Sequence, residues 1–290
     1  KEKEVIKTNL GIDKIYVINL PKRKDRRQEF DETFGKLKYE YVEGVSGNEI
    51  NVKELIKEKR VSEFFYDPAG SINKNVIACN LSHLKVWETF LESREDVCLV
   101  LEDDVVVTEE IFLTTTNVET NEVMNTPTTF WNDMMSQLDK LDWDIVFLGK
   151  KQEYVNGIDK TELFCEPFWA AGLFGGHAYM LNKKSIRNLI LKYRPIKYAA
   201  DVFLDMMIGE MNVLALKKSL FRQRTDIYLH DKKLLHKVDS DTFYNEYREE
   251  KFTEVRVDDT VESIEFINYP ESPEFDKKRW PPLIKAKLRV

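Results

Sequence analysis

Cysteine, histidine and long apolar runs are scarce in this chain. Only three cysteines and four histidines occur in 290 residues. Cys79, Cys98 and Cys165 show no metal-ligand spacing, and an odd number builds no disulfide framework. They read as three free, partly buried thiols. No apolar run approaches the roughly 20 residues that a membrane-spanning helix needs. Basic excess is lacking as well: 44 Lys and Arg face 51 Asp and Glu, a net charge of -7 with a pI near 5.4. That balance argues against a dedicated nucleic-acid binder, while leaving room for a local basic site for phosphate. No signal peptide is evident. The chain opens Lys1-Glu2-Lys3 without methionine, as an excised or processed chain would, so its start does not give the compartment. Cytoplasm and secretory lumen both stay open, as do membership of a larger polypeptide and homo-oligomerisation.

What is present is a chain that can build a core. Apolar residues make up 42% and aromatics 12%, and 290 residues suit one large domain or two closely joined ones. Residues 14–20, KIYVINL, alternate and are β-branched, as a strand does. PKRKDRRQEFDETFG reads as a helix closed by Gly35. Leu81, Leu84, Trp87 and Leu91 recur at helical spacing. VCLVL (97–101) and LDWDIVFLG (141–149) read as buried strands, and residues 183–194 and 200–211 as helices. Strands separated by helices predict an α/β fold with a central, mainly parallel sheet flanked by helices. The division expected is an N-terminal extension (1–13), a main domain (14–240) and a tail packed on it (241–290). The Thr- and Asn-rich stretch 114–130 is expected to be a surface loop or insertion.

The stretch VCLVLEDDVVV carries the chemistry. Adjacent carboxylates repel and are costly to bury unpaired, yet Glu102, Asp103 and Asp104 end an apolar strand. Ligands bind beyond the carboxyl ends of parallel strands. Glu102 and Asp104, two apart, are expected to face one site. A divalent metal would relieve their repulsion, and Mg²⁺ and Mn²⁺ favour such oxygen ligands and bridge to phosphates. The competing reading is an acidic turn paired with Lys or Arg. Phosphatases, nucleases and nucleotide-sugar transferases all use carboxylate-bound metal, so the trio alone does not choose among them. Asp142 and Asp144 precede a strand and read as structural.

Several motifs together resemble the family 25 glycosyltransferases, which include lipooligosaccharide galactosyltransferases and the galactosyltransferase domain of procollagen-modifying enzymes. VINLPKRKDRR resembles that family's opening strand and basic run, CNLSHLKVW its Cys-x-x-Ser-His-x-x-x-Trp helix, and LVLEDDVVV its Glu-Asp-Asp strand. LDWDIVFLGKK, HAYMLNKKSIRNLI and ADVFLD follow in the family's order, so the resemblance covers about residues 14–230. KNVIAC departs from it: Asn75, Val76 and Ala78 stand where Gly-Glu and Gly are usual. Ser46 stands where Asp is common.

The resemblance implies a GT-A type nucleotide-sugar fold and inversion at the anomeric carbon. A UDP-sugar donor would meet Asn19, Leu20, Arg23, Arg27, Ser82, His83, Glu102 and Asp103, with Arg27 the preferred diphosphate partner. Mn²⁺ or Mg²⁺ would be held by Asp104 and Glu102, with His230 preferred over Asp226 and His236 as the further ligand. Asp201, or Asp205 one turn on, would be the base, although a carboxylate at a helix start is also a good cap. Small residues Gly172, Gly175 and Gly176 would admit donor or acceptor. His177 and Tyr179 are candidates to line the acceptor cleft, and Phe168 and Trp169 to stack on sugar, with ordinary core packing the favoured competing reading of all four. The acceptor expected is hydroxylysine of a collagen-like polypeptide, with a lipooligosaccharide or other glycan as alternative. A metal-dependent phosphohydrolase and an inactive carbohydrate-binding module are the readings of another class.

Overall fold

A computed structural model describes residues 10–67, 71–117, 119–121, 123–168, 173–224, 256–267 and 283–290. Trp169, Gly172, Asp226, His230 and His236 lie outside the described residues. In chain order the first half runs β1 (Lys14–Asn19), α1 (Lys24–Phe34), β2 (Glu40–Glu43), α2 (Val52–Lys57), β3 (Val61–Asp67), β4 (Ser71–Ile72), α3 (Lys74–Glu92), β5 (Val97–Glu102), β6 (Val105–Val107), β7 (Phe112–Thr116), β8 (Val123–Pro127) and α4 (Thr129–Leu138). The second half runs β9 (Ile145–Gly149), β10 (Gly157–Asp159), β11 (Phe164–Pro167), β12 (Ala178–Asn182), α5 (Lys183–Tyr193), β13 (Ile196–Tyr198), α6 (Ala200–Met206), β14 (Val213–Leu216), β15 (Phe221–Gln223), β16 (Arg256–Val257), β17 (Val261–Ile267) and β18 (Leu283–Leu288).

Eight strands form the central sheet in the order β10-β11-β14-β9-β12-β5-β1-β2. Its inner strands are buried on both faces because their side chains alternate between two cores. Tyr16, Val100, Phe147, Tyr179 and Leu181 point into one, with Leu81 and Trp87 of α3 and Ile186 of α5. Ile15, Val17, Leu99, Leu101, Val146 and Met180 point into the other, with Phe30 of α1 and Trp131 of α4. The result is a mixed α/β layering with a large sheet between helices. Trp87 and Trp131 are wholly buried, and each such side chain stabilises the fold by roughly 1.5–3 kcal/mol. Polar N-caps start α3 and α4: the Asn73 side chain accepts from the Asn75 and Val76 amides, and Thr128 Oγ1 accepts from Trp131 N.

The sheet departs from the mainly parallel expectation. β1 runs parallel to β2 and β5, and β14 to β9. However, β12 is antiparallel to both neighbours, β5 and β9, and β11 is antiparallel to β14. Apolar strands buried on both faces look alike in either direction, so composition does not reveal this. The expected loop at 114–130 is a β7–β8 hairpin leading into α4. The helix expected over 200–211 stops at Met206. Beyond the main sheet, β13, β3, β18 and β17 make a second sheet in that order. Ile284, Ala286 and Leu288 of β18 join the core under α3. Before β1, Leu10 and Ile12 are buried, and Trp131 Nε1 donates to Leu10 O at 2.8 Å.

Candidate active site

β5 delivers the acids as expected. Its apolar residues are anchored in both cores, and the chain turns at Asp103-Asp104 into β6. β12 braces the turn, because Glu102 N donates to His177 O at 3.0 Å. Each carboxylate then meets a different neighbour. Glu102 accepts from Gln223 Nε2 at 3.1 Å and contacts His83 Nε2 at 3.3 Å. Asp103 accepts from Asn19 Nδ2 at 2.7 Å and Arg26 Nη1 at 3.2 Å. Asp104 lies 3.7 Å from Arg26 Nη1, and its buried Oδ1 makes no hydrogen bond among the described residues.

Charge is distributed unequally across the trio. Burial and then the Glu102 charge push Asp104 up to about 7, against the pull of Arg26. Burial also tends to raise Glu102, but the His83 hydrogen bond and the electrostatic pull of the neighbouring His83, His177 and Lys151 outweigh it, holding Glu102 at about 2. Asp103 is raised, chiefly by burial, with Arg26 and Asn19 opposing. A buried carboxylate oxygen without a partner beside a second, ionised carboxylate is a donor set that suits Mg²⁺ or Mn²⁺. Asp104 and Glu102 therefore fit such an ion.

The cluster extends to α3 and α6. His83 is buried, with Nδ1 2.8 Å from Tyr179 Oη, which also accepts from Trp87 Nε1 at 2.8 Å. A Cβ at Gly176 would stand 3.4 Å from His83 Cε1 and 3.8 Å from Asp201 Cβ, so this backbone lies between the two side chains. Asp201 is partly exposed; its Oδ2 accepts from Gly175 N at 2.9 Å and its Oδ1 from Val202 N at 2.8 Å. It is not the helix cap, since Ala199 occupies that position.

Several expected residues take other positions. Arg27 is exposed and stacks over the Tyr41 ring, 4.1 Å from its centroid, while Arg23 pairs with Asp25. The guanidinium at the acids is that of Arg26. Ser82 Oγ accepts from Val45 N and donates to Ala78 O, both at 2.8 Å, so it ties α3 to the chain after β2. Asn19 orients Asp103, and Leu20 supplies the carbonyl that accepts from Arg23 N. Tyr179 and His177 have 1% and 0% exposure; they support the site from beneath and offer no acceptor surface. Asp205 is a buried ion-pair partner of Lys150 at 2.7 Å and accepts from Phe174 N, which leaves it poorly placed as a base. Asp142 and Asp144 hold Lys184 and Asn212, a structural role. Arg26, Cys79, Lys150, Lys151 and Gln223 carried no sequence assignment. Only the LGKK string adjoining a buried strand hinted at the lysines.

A strand-borne acidic trio held by a histidine and an arginine, with a helix-borne carboxylate on the same side of a mixed α/β sheet, has the form of a group-transfer site. The chain belongs to glycosyltransferase family 25: the family described as Glycosyltransferase family 25 (LPS biosynthesis protein) matches residues 12–204. Procollagen galactosyltransferase 2 of Mus musculus is 29% identical over 160 residues, covering 52% of this chain and 23% of that protein. Procollagen galactosyltransferase 1-B of Xenopus laevis is 27% identical over 214 residues, 68% of this chain and 31% of that one. A Bos taurus protein named probable inactive glycosyltransferase 25 family member 3 is 24% identical over 223 residues, 70% of this chain and 33% of its own length. The chain thus spans about a quarter to a third of these relatives. Among solved structures, A197 from STIV aligns with a TM-score of 0.35 and 12% identity over 70% of this chain and 80% of that one.

Proposed function

We propose that this chain is a metal-dependent, inverting galactosyltransferase or glucosyltransferase of GT-A type. It moves the hexose of a UDP-sugar to a hydroxyl, with hydroxylysine of a collagen-like polypeptide as the favoured acceptor. The observation that carries this reading is the buried Asp104 Oδ1, which has no hydrogen-bond partner among the described residues, beside the charges of Glu102 and Arg26. The names of the procollagen galactosyltransferases above support the sugar and the acceptor.

Asp104 and Glu102 would hold Mn²⁺ or Mg²⁺, which neutralises charge on the departing nucleotide. Arg26, already against Asp103 and Asp104, adds a guanidinium for the diphosphate. Asp201 takes the proton from the acceptor hydroxyl while that oxygen bonds the anomeric carbon. The bond from that carbon to the nucleotide breaks on the opposite face, and its electron pair leaves with the phosphate oxygen. The Gly175 and Val202 amides fix the base in direction.

The test is UDP release from a panel of UDP-sugars with Mn²⁺, with and without collagen-like peptide. Release from UDP-galactose or UDP-glucose is expected, and it is lost in chelator and in Asp104→Ala. Full activity in chelator removes the metal role. Phosphate release from generic esters would identify a phosphohydrolase, and sugar binding without turnover an inactive module.

A further inference from the structure

The geometry points to a second cation site, for a thiophilic divalent ion such as Zn²⁺, formed by Cys79, His83 and Glu102. Cys79 and His83 are four residues apart on α3 and therefore share a face. Glu102 ends the strand opposite. The three candidate ligand atoms, one from each residue, all lie within 4.8 Å of one another, and this is the one such group of His, Cys, Asp and Glu among the described residues. His83 Nε2 and Glu102 Oε1 are already 3.3 Å apart. Closing the group onto an ion at the usual 2.0–2.3 Å needs about 1 Å of side-chain movement. Sulfur with imidazole nitrogen selects Zn²⁺ over Mg²⁺ or Mn²⁺, so this donor set differs in kind from the all-oxygen set around Asp104.

The support behind the ligands is built. Tyr179 Oη contacts His83 Nδ1 and is itself held by Trp87 Nε1. Tyr179 serves either tautomer of His83. Its hydroxyl can donate to Nδ1 while Nε2–H faces Glu102, or it can accept from Nδ1–H once Nε2 binds the ion. The Cys79 Sγ–H bond breaks as the Sγ–metal bond forms, and the proton passes to solvent. Cys79 is partly exposed and the Glu102 side chain is 22% exposed, so an ion can enter. The other two thiols are sealed in the cores, with Cys165 Sγ aimed at Val155 O. Occupation of this site withdraws Glu102 from the neighbouring oxygen site. Zn²⁺ would therefore inhibit sugar transfer, a consequence that rests on the function proposed above.

Binding is read directly by titrating the full chain with Co²⁺ and recording thiolate-to-Co²⁺ charge-transfer absorption. The expected result is a band that saturates at one equivalent, is displaced by Zn²⁺, persists in Cys98→Ser and Cys165→Ser, and is lost in Cys79→Ser. Unchanged thermal melting of Cys79→Ser shows that the loss is local. No band in the parent chain, or a band that survives Cys79→Ser, overturns the site. In the transfer assay, Cys79→Ser should need at least tenfold more Zn²⁺ for half inhibition. A Cys79-dependent band with no inhibition keeps the cation site and instead removes Glu102 from the transfer reaction.

Discussion

Asp201 and Asp205 sit one turn apart on α6, and their surroundings separate them. Asp201 reaches solvent and is aimed by two amides. Asp205 is 4% exposed and bound to Lys150, whose Nζ also donates to Gly175 O. If Asp201 is the base, Asp201→Asn lowers kcat by roughly 10²–10⁴-fold with melting unchanged; near-parent turnover in the folded variant removes it from the mechanism. Lys150 has the opposite signature. Lys150→Met strands a buried carboxylate and should cost about 3–5 kcal/mol in urea unfolding. Adding Asp205→Asn should return most of that loss. A single variant as stable as the parent would show that the pair does not hold the 173–176 segment, where Phe174 has φ 41°. At this scale the position of the acids was legible, because an apolar strand ends in three carboxylates, although an acidic turn paired with Lys or Arg was an equal reading of the trio alone. Arg26 was not legible. Successive residues on a helix point about 100° apart, and which of Arg23, Arg26 and Arg27 meets the acids is set by how α1 docks. The burial of His177 and Tyr179 likewise depends on β12 lying mid-sheet.

At the scale of elements, α3 and α5 were readable from their helical periodicity, and β5 from an unbroken apolar run. The β7–β8 hairpin was not, because its residues are mostly exposed on both faces and show no apolar alternation. Thr is β-branched, and the hairpin forms on that local preference. Its stem closes where Thr128 N donates to Ile111 O at 3.1 Å, and Asn125 Nδ2 reaches Lys36 O. Replacing residues 113–126 with a two-residue Gly-Ser turn should therefore shift Tm by no more than about 2–4 °C, the equivalent of about 1 kcal/mol in a domain of this size. A larger fall, measured by circular dichroism, would mean that the hairpin braces α1 and α4. Strand direction is a second limit. β12 reverses the sheet between β5 and β9, and no residue pattern announces it, because both orientations bury the same alternation.

For the whole molecule, the C-terminal segment is more than a covering. β18 is an inner strand, antiparallel to both β3 and β17. β3 in turn pairs with β13, which leads directly into α6 and Asp201. The last residues of the chain are thus linked to the proposed base through one small sheet. Sequence reading missed this because charged and aromatic residues dominate the segment, and only alternate positions of LIKAKL are apolar and buried. Leu288 has no exposure and packs in the main core, so Leu288→Ala should cost about 2–5 kcal/mol. Ile264, at 39% exposure on the edge strand, is the matched control, and Ile264→Ala should stay within about 0.5 kcal/mol. Urea unfolding of both variants checks the pair. Equal stabilities would mean that β18 only lies against the domain. The expected gap would make the C-terminal strand part of the core that positions α6, so that trimming the chain before Leu283 costs transfer activity as well as stability.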